Sequence, residues 1–239
     1  MKTRAALFHA PGRPLEVREI ELEEPGPGDV IVRMTAIGVC GSDLHVIKGE
    51  WPRPTPIVLG HEGAGVVEQL GSEVEGLAVG DPVVLSWAPS CGACATCRSG
   101  RLTACTNLRN AIGAGTLLDG TTRMTADGET VYRMTTTAAL SEHVLIPASQ
   151  ALPIPPDVAI EEAALLGCAA LTAIGGVENA AQVQPGQTVM VVGAGGVGQM
   201  AVQGGASRAR ARSSLSTRTR AASRPRSRSV RRPRSPPTS

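Results

Sequence analysis

The chain has 239 residues, 42% hydrophobic and 18% charged, with a net charge of +2, a length that suits one large or two small domains. The balance hides a split, because residues 1–206 carry 12 Lys+Arg against all 21 Asp+Glu, and the remainder carries 11 Arg and no acid. Six cysteines behind an N-terminus with no apolar core for a signal peptide argue against a small secreted disulfide scaffold. They favour a reduced, cytoplasmic, metal-binding protein.

Residues 1–150 read as short β segments between turns. Val30-Ile-Val-Arg-Met-Thr-Ala-Ile37 and Gly63-Ala-Gly-Val-Val-Glu-Gln-Leu70 are strand-like, and Pro25-Gly-Pro-Gly28 and Gly80-Asp-Pro82 are turns. The pattern predicts a compact antiparallel barrel with metal loops hung on it. Residues 116–143 read as a long polar insertion with little apolar periodicity. Residues 161–181 are Ala/Leu-rich and helix-compatible, weakened by Gly167, Gly175 and Gly176. The longest mostly apolar run, 163–177, is shorter than the about 20 residues that span a bilayer, so no membrane partner is expected.

The pattern then changes. Gln187-Thr-Val-Met-Val-Val192 predicts a buried parallel strand, followed by the turn Gly193-Ala-Gly-Gly-Val-Gly198 and a helical start at Gln199. Strand, glycine turn and helix open a doubly wound nucleotide-binding domain, in which backbone amides and the helix N-terminus approach a pyrophosphate. After about residue 206 the chain is Arg, Ser, Pro, Ala and Thr apart from Leu215 and Val230, a composition that predicts disorder. All five types have codons with C or G in the middle position, the bias of a GC-rich gene read out of frame. Moving the frame back one base permits Leu-Ala-Gly-Ala-Ser-Lys-Ile-Val-Ala-Val-Asp from Ser207 onward. That would end a helix and close a second strand on an acid placed for a ribose.

Two residue groups carry metal chemistry. Cys91, Cys94, Cys97 and Cys105 have the spacing C-x2-C-x2-C-x7-C, which suits a closed, structural four-thiolate zinc site whose charge loop amides and the nearby Arg98 and Arg101 would offset. Two disulfides or free core thiols are the plainer reading. Cys40, His61 and Cys168 supply two thiolates and an imidazole, a set that leaves a zinc one open position for chemistry. Asp43 and Glu62, adjacent to ligands in sequence, are candidates to orient the imidazole or balance charge.

Together these residues resemble the zinc-dependent, medium-chain alcohol dehydrogenases, which join a GroES-like catalytic domain to a Rossmann domain. The resemblance covers about residues 1–206. It rests on Cys40-Gly-Ser-Asp-Leu-His45, Gly60-His-Glu-Gly-Ala-Gly-Val-Val67, the cysteine quartet, Leu166-Gly-Cys168 and the glycine turn. Asp119-Gly-Thr-Thr-Arg-Met-Thr is similar to the long insertion of the liver-type and glutathione-dependent formaldehyde dehydrogenase branch.

By that resemblance Cys40, His61 and Cys168 hold the catalytic zinc, with Glu62 its nearby carboxylate. Ser42 accepts the alcohol proton and passes it through the cofactor ribose toward His45. Trp87 lines the substrate pocket, Thr172 and Val197 flank the nicotinamide, and Gly193, Gly195, Gly196 and Gly198 form the cofactor turn. Gly41 departs from branch members that carry a basic residue there.

The expected fold is α/β. A β-rich GroES-like domain spans residues 1–155, the start of a Rossmann domain 156–206, and a disordered basic tail 207–239. The expected function is alcohol oxidation or aldehyde reduction with two Zn2+ per chain and NAD (NADP is open), in a homo-oligomer when full-length. The resemblance also implies that the chain as it stands is inactive and poorly soluble, since most of the nucleotide domain is missing and the 188–192 strand would lack a parallel neighbour. Oxidation of a thiol–formaldehyde adduct is a second enzymatic reading. A zinc module whose Arg/Ser arm binds nucleic acid is a reading of another class, opposed by a tail with no aromatic residue for base stacking.

Overall fold

The computed structural model describes residues 1–209 and 213–216, with side chains through residue 205. The chain divides into two compact units, Met1–Cys168 and Ala169–Ser239.

The first unit is a barrel-like pair of sheets. Its strands are β1 (Lys2–Phe8), β2 (Glu16–Leu22), β3 (Asp29–Gly38), β4 (Ile57–Val58), β5 (Glu62–Leu70), β6 (Pro82–Leu85), β7 (Met124–Ala126), β8 (Glu129–Thr130), β9 (Tyr132–Arg133), β10 (His143–Pro147) and β11 (Ala151–Pro153). One sheet runs β8-β7-β2-β1-β4-β9 and the other β10-β3-β5-β6-β11. Pairing is antiparallel except between β4 and β9.

Side-chain alternation explains the core. In β1, Thr3, Ala5 and Leu7 are buried while Lys2 and Arg4 face water. In β3, Val30, Ile31 and Val32 are all buried, because both faces of that strand are covered. Val30 and Val32 pack with Val67, Val83, Leu85 and Ile146, whereas Ile31 points the other way onto Leu117 and Leu145. Each such aliphatic side chain contributes about 1.5–3 kcal/mol on burial.

The insertion is not the polar excursion that the sequence suggests. Residues 116–143 add β7, β8 and β9 to the first sheet and bury Leu117, Met124, Val131 and Met134. Strands of two or three residues are too short to show a period, which hid them. Arg133 is wholly buried and ties the insertion down, donating from Nε to the Thr122 carbonyl and from Nη1 to those of Thr136 and Leu145 at 3.1, 3.1 and 2.9 Å. Burial, then the charge of Arg123, pulls its pKa down to about 9.

The helices are α1 (Gly41–Ile47), α2 (Ala95–Arg98), α3 (Thr106–Ala114), α4 (Ile160–Ala163), α5 (Leu171–Gly175) and α6 (Gly196–Ala209). The apolar helical stretch is longer than expected: π-helical turns join α4 and α5 into Ile160–Ala180, 21 residues with mean hydropathy 1.5, enough by length and composition to cross a bilayer. Its first turns pack instead on the barrel, where Ala163 and Ala164 meet Ala64, Val84 and Ile154.

In the second unit β12 (Val189–Val192), α6 and β13 (Ser213–Ser216) form a βαβ unit whose strands pair in parallel. This corrects two expectations. Residues 207–209 continue α6, and 213–216 supply the parallel neighbour that 188–192 was expected to lack. The rest of the basic tail lies outside the described residues. Nor is β12 fully buried: Val189 packs with Val177 and Val183, but Met190 and Val192 are 70% and 77% exposed.

Two glycines separate structural need from tolerance. A Cβ at Gly167 would run into the Leu85 carbonyl, whereas one at Gly113, within α3, meets open space. Gly167→Ala should cost about 1–3 kcal/mol in chemical denaturation through overpacking. Gly113→Ala should stabilise by about 0.5–1 kcal/mol.

Candidate functional site

Backbone register assembles the first site. Gly38, at the end of β3, pairs with Glu62, at the start of β5, so the segments carrying Cys40 and His61 meet at one end of the sheet. A Cβ on Gly38 would strike the Glu62 side chain and Leu165, so glycine leaves the space that the carboxylate fills. Gly60 turns into β5 at φ 86°, where a Cβ would crowd the Leu140 amide. Close approach of Gly167 to β6 brings in Cys168. The ligand atoms of Cys40, His61, Glu62 and Cys168 all lie within 4.8 Å of one another.

The electrostatics favour a cation there. Burial pushes the Cys168 thiol up to about 12, and the adjacent charges of Cys40 and Glu62 push the same way. A divalent ion offsets all three effects by stabilising thiolate.

Asp43 orients the site from behind. It accepts the Cys40 and Gly60 amides at 2.8 and 3.0 Å and lies 3.6 Å from His61 Nδ1, a Coulombic contact just beyond hydrogen-bond length. Burial alone would raise its carboxyl pKa, but His61 and the two amides together hold it below the usual range. With Nδ1 turned to Asp43, Nε2 is the ring nitrogen left to ligate a metal ion. Trp87 meets the His61 ring edge-on, with centroids 6.3 Å apart.

Ser42 and His45 both sit on α1, which starts directly after Cys40. Ser42 is half-buried and His45 exposed. The sequence reading missed the partners of His45, which are Glu50 on Nδ1 and Trp51 stacked on the ring. Their signal was the tight spacing after Gly49. It also missed Gln150, fully buried, which donates to the Ser86 carbonyl and to Thr136 Oγ1, both at 2.8 Å, while Thr136 Oγ1 donates to the Trp87 carbonyl at 3.4 Å.

The quartet forms a separate lobe. Cys97 lies on α2, Cys105 caps α3, and Leu108 and Ile112 pack behind the sulfurs. Sulfur separations of 4.0 Å (Cys91 to Cys97) and 3.9 Å (Cys94 to Cys105) match the edge of about 3.8 Å expected for four sulfurs around zinc. All are far from the about 2.05 Å of a disulfide, and the six cysteines are free.

The amides of Cys91, Cys94 and Leu108 donate to sulfur at 3.4–3.5 Å. Arg98 and Arg101, expected to offset the charge, turn instead to the Ala93 carbonyl and Ser99 Oγ. The Thr96 hydroxyl, with backbone amides, draws Cys94 down to about 5, while burial and neighbouring sulfurs push Cys97 up to about 12. Together the four cysteines are grouped so that they could hold one metal ion.

The predicted cofactor residues fall in the second unit. Gly193, Gly195, Gly196, Val197 and Gly198 occupy the turn from β12 into α6, and Thr172 lies exposed on α5. Gly193 takes φ 114°, and a Cβ on Gly198 would collide with its carbonyl.

Residues 26–156 match the alcohol dehydrogenase GroES-like domain. An S-(hydroxymethyl)glutathione dehydrogenase of Escherichia coli is 41% identical over 205 residues, which are 85% of this chain and 56% of that protein. The crystal structure of an alcohol dehydrogenase zinc-binding domain protein from Burkholderia ambifaria superposes with TM-score 0.82 at 33% identity, covering 91% of this chain and 58% of that one. A cobalt- and zinc-bound thermostable alcohol dehydrogenase from Pyrobaculum aerophilum gives 0.71 at 32% identity, covering 92% and 60%. The chain thus spans a little over half the length of these relatives, and through its GroES-like domain it belongs to the zinc-dependent alcohol dehydrogenase family.

Proposed function

We propose that the protein is an NAD-dependent alcohol dehydrogenase with two zinc ions, one at the cysteine quartet and one at Cys40, His61 and Cys168. The observation that carries this is the largely buried cluster of two thiols, an imidazole and a carboxylate, three of them beside the paired ends of β3 and β5 and the fourth, Cys168, from the helix packed there. When bound, zinc there supplies Lewis acidity that lowers the pKa of a coordinated alcohol, and the nicotinamide accepts the hydride.

The chain's own residues do the rest. Asp43 holds the His61 imidazole, Trp87 walls the pocket beside it, and Ser42 takes the alcohol proton and hands it toward His45. Amides of the turn 193–198, at the start of α6, bind the pyrophosphate, and Thr172 and Val197 flank the nicotinamide. Six free thiols suit a cytoplasmic setting. A small alcohol or aldehyde is the proposed substrate, and a homo-oligomer the proposed full-length form.

Metal analysis of the purified chain should return two zincs. Cys97→Ser should lose one and lower the denaturation midpoint, because a four-thiolate site contributes folding energy outright. Cys40→Ser should lose the other with a smaller change in stability, and Asp43→Asn should weaken that ion about 10–100-fold. A count of one or zero in the unsubstituted chain defeats the two-site reading.

In the form with the reading frame restored after residue 206, NAD should be reduced by a primary alcohol. Ser42→Ala should slow turnover by about 10²–10⁴, the range for losing a proton-transfer group. Unchanged turnover in that variant removes Ser42 from the path.

A further inference from the structure

Ser42 and His45 stand three residues apart on α1, so they occupy neighbouring positions on one helical face. Past α1 the chain reverses through Gly49, at φ 77°, where a Cβ would press on Pro11. The reversal returns the amides of Glu50 and Trp51 to the His45 carbonyl, at 2.9 and 3.2 Å. It also sets the Glu50 carboxylate against His45 Nδ1. The Trp51 ring lies on the imidazole, with centroids 4.7 Å apart and planes inclined by 22°. One nitrogen and one face of the ring are therefore held, and Nε2 is left over. The hydrogen bond from His45, aided by Lys48, keeps the Glu50 carboxyl below its ordinary range. An ionised carboxylate only accepts, so the proton between the two belongs to Nδ1.

We propose that Glu50 is a positioning residue for His45, fixing the imidazole as the Nδ1–H tautomer with Nε2 as the free base, while Trp51 fixes the ring plane. The role rests on the proton path proposed above, although the tautomer itself does not depend on turnover. Nε2 takes the proton arriving from the Ser42 side, giving an imidazolium whose Nδ1–H stays on Glu50. Loss of the Nε2 proton to bulk water restores the same tautomer, and Glu50 ends the cycle unchanged. Without Glu50 the neutral ring would also populate the Nε2–H form, which cannot accept at that nitrogen.

The test is the side-chain nitrogen NMR spectrum of the 15N-labelled, full 239-residue chain at a pH where the imidazoles are neutral. His45→Gln assigns the His45 signals among the four histidines. The unsubstituted chain should show His45 mainly as Nδ1–H. Glu50→Ala should move the ratio of tautomers toward Nε2–H by about two- to ten-fold, the net worth of one hydrogen bond. Glu50→Asp should recover part of the shift, and the signals of His9, His61 and His143 should stay in place.

A predominantly Nε2–H His45 in the unsubstituted chain overturns the proposal before any variant is made. So does an unchanged ratio in Glu50→Ala. Alcohol oxidation is read separately, in the form with the reading frame restored, so its failure there would strike the proposed function and leave the tautomer result standing.

Discussion

The pairing of β3 with β5 is the constraint on which the first site depends. Cys40 and His61 are 21 positions apart in sequence, yet the Gly38–Glu62 pair brings the strand end before one and the strand start after the other side by side. A slip of one residue would turn Glu62 to the other face of the sheet and dismantle the apolar face of Val30 and Val32 at the same time. The ladder shifts register twice, between Ile31 and Val32 and between Met34 and Ala36. Those irregularities let one strand pair serve the core at one end and the site at the other. Cys168 arrives from a different element, and the bare backbone of Gly167 against Leu85 sets its distance. The donors thus lie beside sheet ends and on a packed helix, elements whose own packing sets where they stand.

Burial gives the two cysteine groups a shared electrostatic problem and different solutions. Cys40, Glu62 and Cys168 put acidic groups together in a region of low dielectric, and the high pKa of Cys168 is the consequence. Asp43, equally buried but supplied with two amides and a nearby imidazole, stays ionised. In the quartet, the Thr96 hydroxyl and amides stabilise Cys94 as thiolate, while burial and the neighbouring sulfurs raise Cys97, so the two are driven apart. Four identical donors backed by Leu108 and Ile112 suit an enclosed structural ion. Mixed donors beside Trp87 suit an ion with a position open to another ligand.

Spacing was the part of the site that the sequence could express. Three cysteines within seven residues can reach one ion whatever the surrounding fold, and the β–glycine–α order at 187–199 is equally local. Long-range consequences were not readable. Nothing near Arg133 marks it as buried, because its acceptors come from residues 122, 136 and 145. The strands of 124–133 were missed because their burial follows from the β2 and β4 edges they join. The clamp on His45 was overlooked for a simpler reason: Glu50 and Trp51 lie past the end of α1 and return to it only because Gly49 turns the chain.

The strand β12 shows the limit from the other direction. Its run of Val and Met is the composition of a strand covered on both faces, as in doubly wound sheets with helices on each side. Alternation along the strand sets Val189 and Val191 against Met190 and Val192. The first pair is half-buried, with Val189 packed on Val177 and Val183, and the second pair is open to solvent among the described residues. Composition therefore encodes the environment a segment is suited to, whereas exposure reports the neighbours it has. In the barrel the two agree, as Val30 to Val32 show. In the βαβ unit they differ on one face only, so the mismatch identifies Met190 and Val192 as side chains whose sequence setting asks for a covering layer that α6 and β13 do not provide.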